Sequence, residues 1–410
     1  MRDAVKAGAL LAVVVGHSLA WHVSAPGQVG NVLELVPGLV VLTWLFQVLP
    51  LFFAAGAASN AESLARHGRD DFWRHRARSL VTPVLIYAGC WTLVALPFSA
   101  QGGTVEAAGR FLSQLLWFAG VYLAVVATVP LTARWRSRPI LTLLVWLGAI
   151  AAVDAARIGG APGWVGWLNL LLVWGWLHQL GYHLGQLRTQ PRGRLIAAGV
   201  VLLLAAGVLV AVGPYSPSLV TVSGDAELSN LAPPSLVLAC YGAAQVCLLA
   251  AAWPLLDRWL ADDRHWIPVA LVGARGMGIY LWHIPLVGVA AGLALALDWV
   301  VPAFSWQWWL VHLAVVAVVL PGAWLIAGVA GRGEQRLRWV PAFVALPGWL
   351  LAVGGAAVIL SISTTGFATW WGAGMLGLPS GSLLNLVVLV LIWQGGQPTR
   401  TSVAPTGVRR

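Results

Sequence analysis

Lys6 and His17 stand eleven residues apart in KAGALLAVVVGH, within a stretch apolar enough to cross a bilayer, and Lys6 is the only lysine in the chain. Eleven residues are close to three turns of α-helix, so the two side chains leave one face about 16 Å apart along the axis. Asp3, three residues before Lys6, lies within roughly 60° of both around the same helix. An imidazole titrates nearest neutrality of all side chains and can accept a proton from a hydroxyl. An ammonium at the membrane edge can neutralise an anion, and a carboxylate near a helix start suits the macrodipole and can pair with that ammonium. Ionisable groups inside a bilayer are costly, so the trio reads as a functional site, set against a polar contact that only fixes helix packing.

A second basic group opens a later apolar run: Arg74, Arg76 and Arg78 in WRHRARSLVTPVLIY. Arg74 and Arg78 share a face by their spacing, with His75 beside it. Guanidinium forks match phosphate oxygens, and basic residues at a membrane edge also set topology; the residues alone leave both readings open. A third group, Arg275, Tyr280 and His283, lies in GARGMGIYLWHIPL, where Pro285 is expected to kink the helix or open its hydrogen-bond ladder. His178 and His183, five residues apart, point about 140° from each other and do not suit one metal. No HExxH, CxxC or phosphate-loop pattern occurs, and no metal is expected. His22, His67, His265 and His312 read as interfacial or packing residues.

The elements that must hold these groups follow from composition. The 410 residues are 59% hydrophobic and 9% charged, too little polar surface for a soluble globule of this size. The expectation is an all-α polytopic membrane protein of about twelve transmembrane helices, near residues 7–24, 38–58, 79–99, 111–132, 140–156, 164–187, 195–213, 235–256, 267–296, 308–328, 343–361 and 381–395. The first is read as a retained span, not a signal peptide, because His17, Trp21 and His22 stand where small cleavage-site residues are needed. With the N-terminus inside, all of the 24 basic residues except Arg110, Arg157 and the intraspan Arg275 fall on the cytoplasmic side, so both termini are expected there. The net charge of +10 then reflects topology and anionic lipid headgroups, with no call for nucleic acid. Cys90, Cys240 and Cys247 read as buried apolar residues without a disulfide. One long polar loop, 214–234, carries Asp225 and Glu227; it is either functional or a plain connector.

These motifs resemble one family. DAVKAGALLAVVVGHS is similar to the first-helix signature of the acyltransferase 3 family of membrane acyltransferases, with Lys6 where arginine is commoner. PLFFAAGA, WRHRARSLVTP, LLWFAGVYL and GARGMGIYLWHIPL resemble its later signatures, and HQLGY and SNLAPPS resemble a branch common in high-GC Gram-positive bacteria. The resemblance runs to about residue 340. It implies a ten-helix acyltransferase core over 1–340; beyond it, the apolar runs read as two additional C-terminal transmembrane helices over 341–396 and the polar end as a disordered cytoplasmic tail over 397–410.

The resemblance further implies transfer of an acyl group, most often acetyl, from cytoplasmic acyl-CoA to a hydroxyl of a carbohydrate, glycolipid or glycosylated metabolite, as in O-acetylation of the cell envelope. His17 becomes the general base, or an acyl-accepting nucleophile, with Asp3 and Lys6 in support. Arg74, Arg76, Arg78 and Lys6 become the groups for CoA phosphates. His178, Arg275, Tyr280, His283, Asp225 and Glu227 become acceptor-binding candidates. A transporter or flippase of a glycolipid or small metabolite is the alternative, since it too places charges within a bundle.

Overall fold

A bilayer core offers no water to backbone N–H and C=O groups, so apolar segments close their own hydrogen bonds as helices. The computed structural model describes residues 2–35, 37–101, 103–220, 228–343, 345–368 and 380–397. Its longer helices are α1 (Arg2–Ala20), α2 (Leu49–His67), α3 (Arg69–Ala95), α4 (Leu116–Thr132), α5 (Pro139–Ile158), α6 (Leu168–Gly181) and α7 (Arg192–Val212). They continue with α8 (Leu236–Leu260), α9 (Asp263–Ala274), α10 (Gly276–Ala296), α11 (Trp306–Leu337), α12 (Gly348–Thr365) and α13 (Ser380–Gly395). Among the described residues ten helical stretches are long and apolar enough to cross a membrane, which makes this an all-α, multi-pass membrane protein. Two of the twelve expected spans, 164–187 and 381–395, fold as shorter pieces: α6 has 14 residues and follows a 3-10 turn at Gly163–Trp167, and α13 has 16.

The expected ninth span also differs. It breaks at Arg275, whose backbone leaves the helical region at φ −117° and ψ 14°, whereas α10 runs on through Pro285. Proline costs one ladder bond, which membrane helices tolerate, and Gly276 next to Arg275 favours the interruption there.

Directly after α1 the chain makes a hairpin of β1 (Trp21–Ala25) and β2 (Gln28–Asn31), antiparallel, with Trp21 opposite Asn31 and His22 opposite Gly30. Gly27, at φ 76°, supplies the left-handed residue of its turn. Trp21, His22 and Val23 are buried, and the Trp21 carbonyl faces Nε2 of His312 on α11 at 3.0 Å. Burial, and then the nearby His312, hold the His22 imidazole below its ordinary pKa, so it serves as a neutral packing group.

The chain divides into two compact units. The first comprises Met1–Glu62, Val129–Gly276 and Leu286–Pro321. Within it α7 lies along α8, α1 against α9, and α6 between α5 and α8. Close approach to α6 requires small residues: a Cβ on Gly175 would stand 2.8 Å from Trp146 of α5, and Gly181 abuts the Ala54 carbonyl of α2.

The second unit comprises Ser63–Thr128, Met277–Pro285 and Gly322–Arg410. Here α3, α12 and α13 pack on one another. Gly355 of α12 lets that helix sit against Leu123 of α4 and Val81 of α3, which a Cβ would meet at 3.0 and 3.1 Å. The expected tail falls outside the described residues beyond Gln397.

Among the described residues of the first unit, Asp154 and Arg157 form a buried ion pair. Asp154 of α5 is 1% exposed and accepts from Arg157 and Asn169 at 2.9 Å each, from the Tyr215 phenol at 3.1 Å and from the Leu236 amide at 2.7 Å. One carboxylate thereby joins α5, α6, the start of α8 and the 214–234 loop. Burial, and then Asp154 itself, raise the Tyr215 phenol above its ordinary pKa, so it remains a donor. Replacing Asp154 with Ala leaves Arg157 buried without its counter-ion, at an expected cost of about 3–5 kcal/mol. Thermal unfolding of the purified protein in detergent should show a large fall in Tm for Asp154→Ala and a smaller one for Asp154→Asn.

Candidate active site

Helix α1 starts with Asp3 in its first turn, where the macrodipole favours a carboxylate. Asp3 itself is exposed. The ion pair that fixes this end of the helix is formed by its neighbour: Arg2 Nη1 meets Glu62 Oε1 of α2 at 2.7 Å. Ala7, Leu10, Val14 and Ser18 form the buried stripe of α1. Lys6 and His17, both half-buried, leave the helix within about 20° of each other on the shoulder of that stripe. The two groups therefore share one face, as their spacing requires, and neither is fully exposed. Both take part in further polar or ring interactions of the fold.

The α2 segment that holds Arg2 also meets α6. Asn60, two residues before Glu62, directs its Nδ2 to His178 Nε2 at 3.0 Å, both groups being fully buried. The Tyr182 ring stands edge-on to His178 at 5.1 Å. This close meeting depends on Gly181, which lets α6 lie against the Ala54 backbone. Gln179 beside His178 is fully buried, and neither its amide oxygen nor its amide nitrogen has a hydrogen-bond partner among the described residues. Asn60 and Gln179 carry no signal in the sequence, because isolated amides have no distinctive spacing.

In the second unit Arg74, Arg76 and Arg78 of α3 separate in role. Arg74 donates through Nε to Asp70 Oδ2 at 2.7 Å and through Nη1 to the Gly395 carbonyl at 3.1 Å. Arg78 reaches Gln397 Oε1 at 3.4 Å. The half-buried Arg76 guanidinium lies 5.9 Å from the centre of the Phe72 ring, a cation–π contact. The exposed His75 ring stacks on His67 at 5.5 Å between centroids.

The remaining candidates are placed as follows. Arg275, half-buried, sits at the break between α9 and α10 in the first unit. Tyr280 and His283 lie in the second unit. The Tyr280 phenol donates to the Leu115 carbonyl, and the fully buried His283 ring bonds through Nδ1 to the Ile279 carbonyl of its own helix at 3.2 Å. Asp225 and Glu227 lie outside the described residues. Among the described residues no three His, Cys, Asp or Glu side chains gather to hold a metal ion.

Residues 3–328 match a family model described as an acyltransferase domain. Neither the curated proteins nor the solved structures contain a match.

The tight seat of Gly181 makes the α2–α6 contact testable. Gly181→Ala forces a methyl group into the Ala54 carbonyl and should cost about 1–3 kcal/mol as α6 moves away. The expected result is a lower Tm in detergent, together with faster hydrogen–deuterium exchange in peptides covering α6.

Proposed function

The chain belongs to the acyltransferase 3 family of membrane acyltransferases, and on that premise we propose that it moves an acyl group, acetyl in the first instance, from cytoplasmic acyl-CoA to a hydroxyl of a carbohydrate, glycolipid or glycosylated metabolite. The observation that carries the reading is the pairing on α1: Lys6 and His17, both half-buried, on one face and about 16 Å apart along the axis. That separation is comparable to the length of the pantetheine arm. A donor whose phosphate end lies near Lys6 brings its thioester to the level of His17.

His17 acts as the general base. Its ring takes the proton of the acceptor hydroxyl as the oxygen attacks the thioester carbonyl; the new C–O bond forms, the C–S bond breaks, and the CoA thiolate leaves with the proton returned to it. Lys6 offsets donor charge at the membrane edge, and Asp3 in the same turn balances it. The arginines of α3 supply forks of the geometry that phosphate oxygens accept, which assigns them to the donor's nucleotide end. His178 and Arg275, polar groups of the same unit as His17, are assigned to the acceptor.

Purified protein given acetyl-CoA labelled in the acetyl group should transfer label to an acceptor and release CoA only when that acceptor is present. His17→Ala should lower the rate at least about 100-fold under conditions where the variant remains folded, as checked by its melting curve. Mass spectrometry of envelope glycans and lipids from cells with and without the gene identifies the acceptor by the lost acyl increment. Movement of an acceptor across proteoliposomes without transfer of label would replace this reading with a transporter.

A further inference from the structure

Helices α12 and α13 lie beyond the matched domain, and their ends meet the arginine-bearing turns of α3. Asp70 uses both oxygens there: Oδ1 accepts from the Gly348 amide at 2.6 Å, at the start of α12, while Oδ2 accepts from Arg74 at 2.7 Å. Arg74 in turn donates to the carbonyl of Gly395, the last residue of α13, at 3.1 Å. The carbonyl end of a helix carries partial negative charge and suits a cation. Just past it, the buried Gln397 side chain accepts from Arg78 Nη2 at 3.4 Å. Gly396 lets the backbone lie along the Arg78 stem, where a Cβ would come within 3.0 Å of Cγ.

A guanidinium has five N–H donors in a rigid fork. Among the described residues the contacts above engage two donors on Arg74 and one on Arg78, and they set the stem and orientation of each fork. Long flexible side chains lose rotamer freedom when they bind, and fixing them beforehand removes that cost from the binding step.

We propose that the C-terminal end of α13, through the Gly395 carbonyl and the Gln397 side chain, positions Arg74 and Arg78 to receive the phosphate groups of the acyl donor. The inference rests on the assignment of these arginines to the donor. Gln397 is a positioning residue: it acts through Arg78 and has no contact with the donor itself.

The test compares two donors on the full-length protein in detergent: acetyl-CoA, and S-acetylpantetheine, which has the thioester arm but no phosphate. Gln397→Ala should raise KM for acetyl-CoA about three- to tenfold, while kcat and the KM for S-acetylpantetheine stay at wild-type values. Gln397→Glu, which ties Arg78 into an ion pair, should raise KM for acetyl-CoA at least as much and again spare the phosphate-free donor. Turnover of S-acetylpantetheine shows that each variant is folded. Equal weakening toward both donors, or unchanged kinetics in both variants while Arg78→Ala raises KM for acetyl-CoA, overturns the positioning role and leaves the donor assignment standing. If Arg78→Ala also leaves that KM unchanged, the donor assignment fails and the positioning role fails with it.

Discussion

In hydrocarbon a polar group without a partner is far more costly than in water, and this constraint bears on every charged side chain buried among the described helices. The apolar segments become helices because only helices satisfy their own backbone. An ionisable group buried among them must then be matched, and where some of its partners come from other elements the match fixes a piece of tertiary structure. Asp154 joins three elements and a loop through one carboxylate. At the exposed start of α3, Asp70 joins the start of α12 to Arg74. Polar contacts of this kind are few, so each has an outsized share in setting helix positions, while small residues such as Gly175, Gly181 and Gly355 allow the helices to come close enough to make them.

The same constraint explains what could be read from the sequence. Long apolar runs announce membrane helices directly, and the spacing of Lys6 and His17 gave their shared face, because helical periodicity within one element is fixed by geometry. The family, too, was legible in motifs spread over the first 340 residues, and the domain match covers 3–328. Contacts between elements were not legible. The i, i+4 spacing of Asp70 and Arg74 suits a pair within α3, but nothing in it tells that Arg74 also reaches the end of a helix more than 300 residues later in the chain. Asp154 did carry a signal, an acid within an apolar span with arginine three residues on, which is the pattern of a buried ion pair.

Lengths and interruptions were the weaker part. The stretch 164–187 is apolar throughout, yet its helix is confined to Leu168–Gly181, because a 3-10 turn precedes it and the chain turns again after Gly181. Pro285 drew attention as a breaker, whereas the break came at Arg275 beside Gly276, since a proline within a bilayer helix loses one bond and glycine lowers the resistance to leaving the helical region. The hairpin after α1 was hidden by its brevity: four or five residues a side around Pro26 and Gly27 do not stand out against the apolar runs on either hand.

That hairpin bears on the chemistry of α1 from a distance. At one end α1 is tied by Arg2 to Glu62, and at the other Trp21, the first residue after the helix, is tied by its carbonyl to His312. The helix is mounted like a shaft between two bearings: it can neither slide along its axis nor spin about it without unseating one of them. The azimuth of His17, four residues short of the second bearing, is thus inherited from these anchors, and a rotation of a single residue step, about 100°, would turn the ring to a different wall of the bundle.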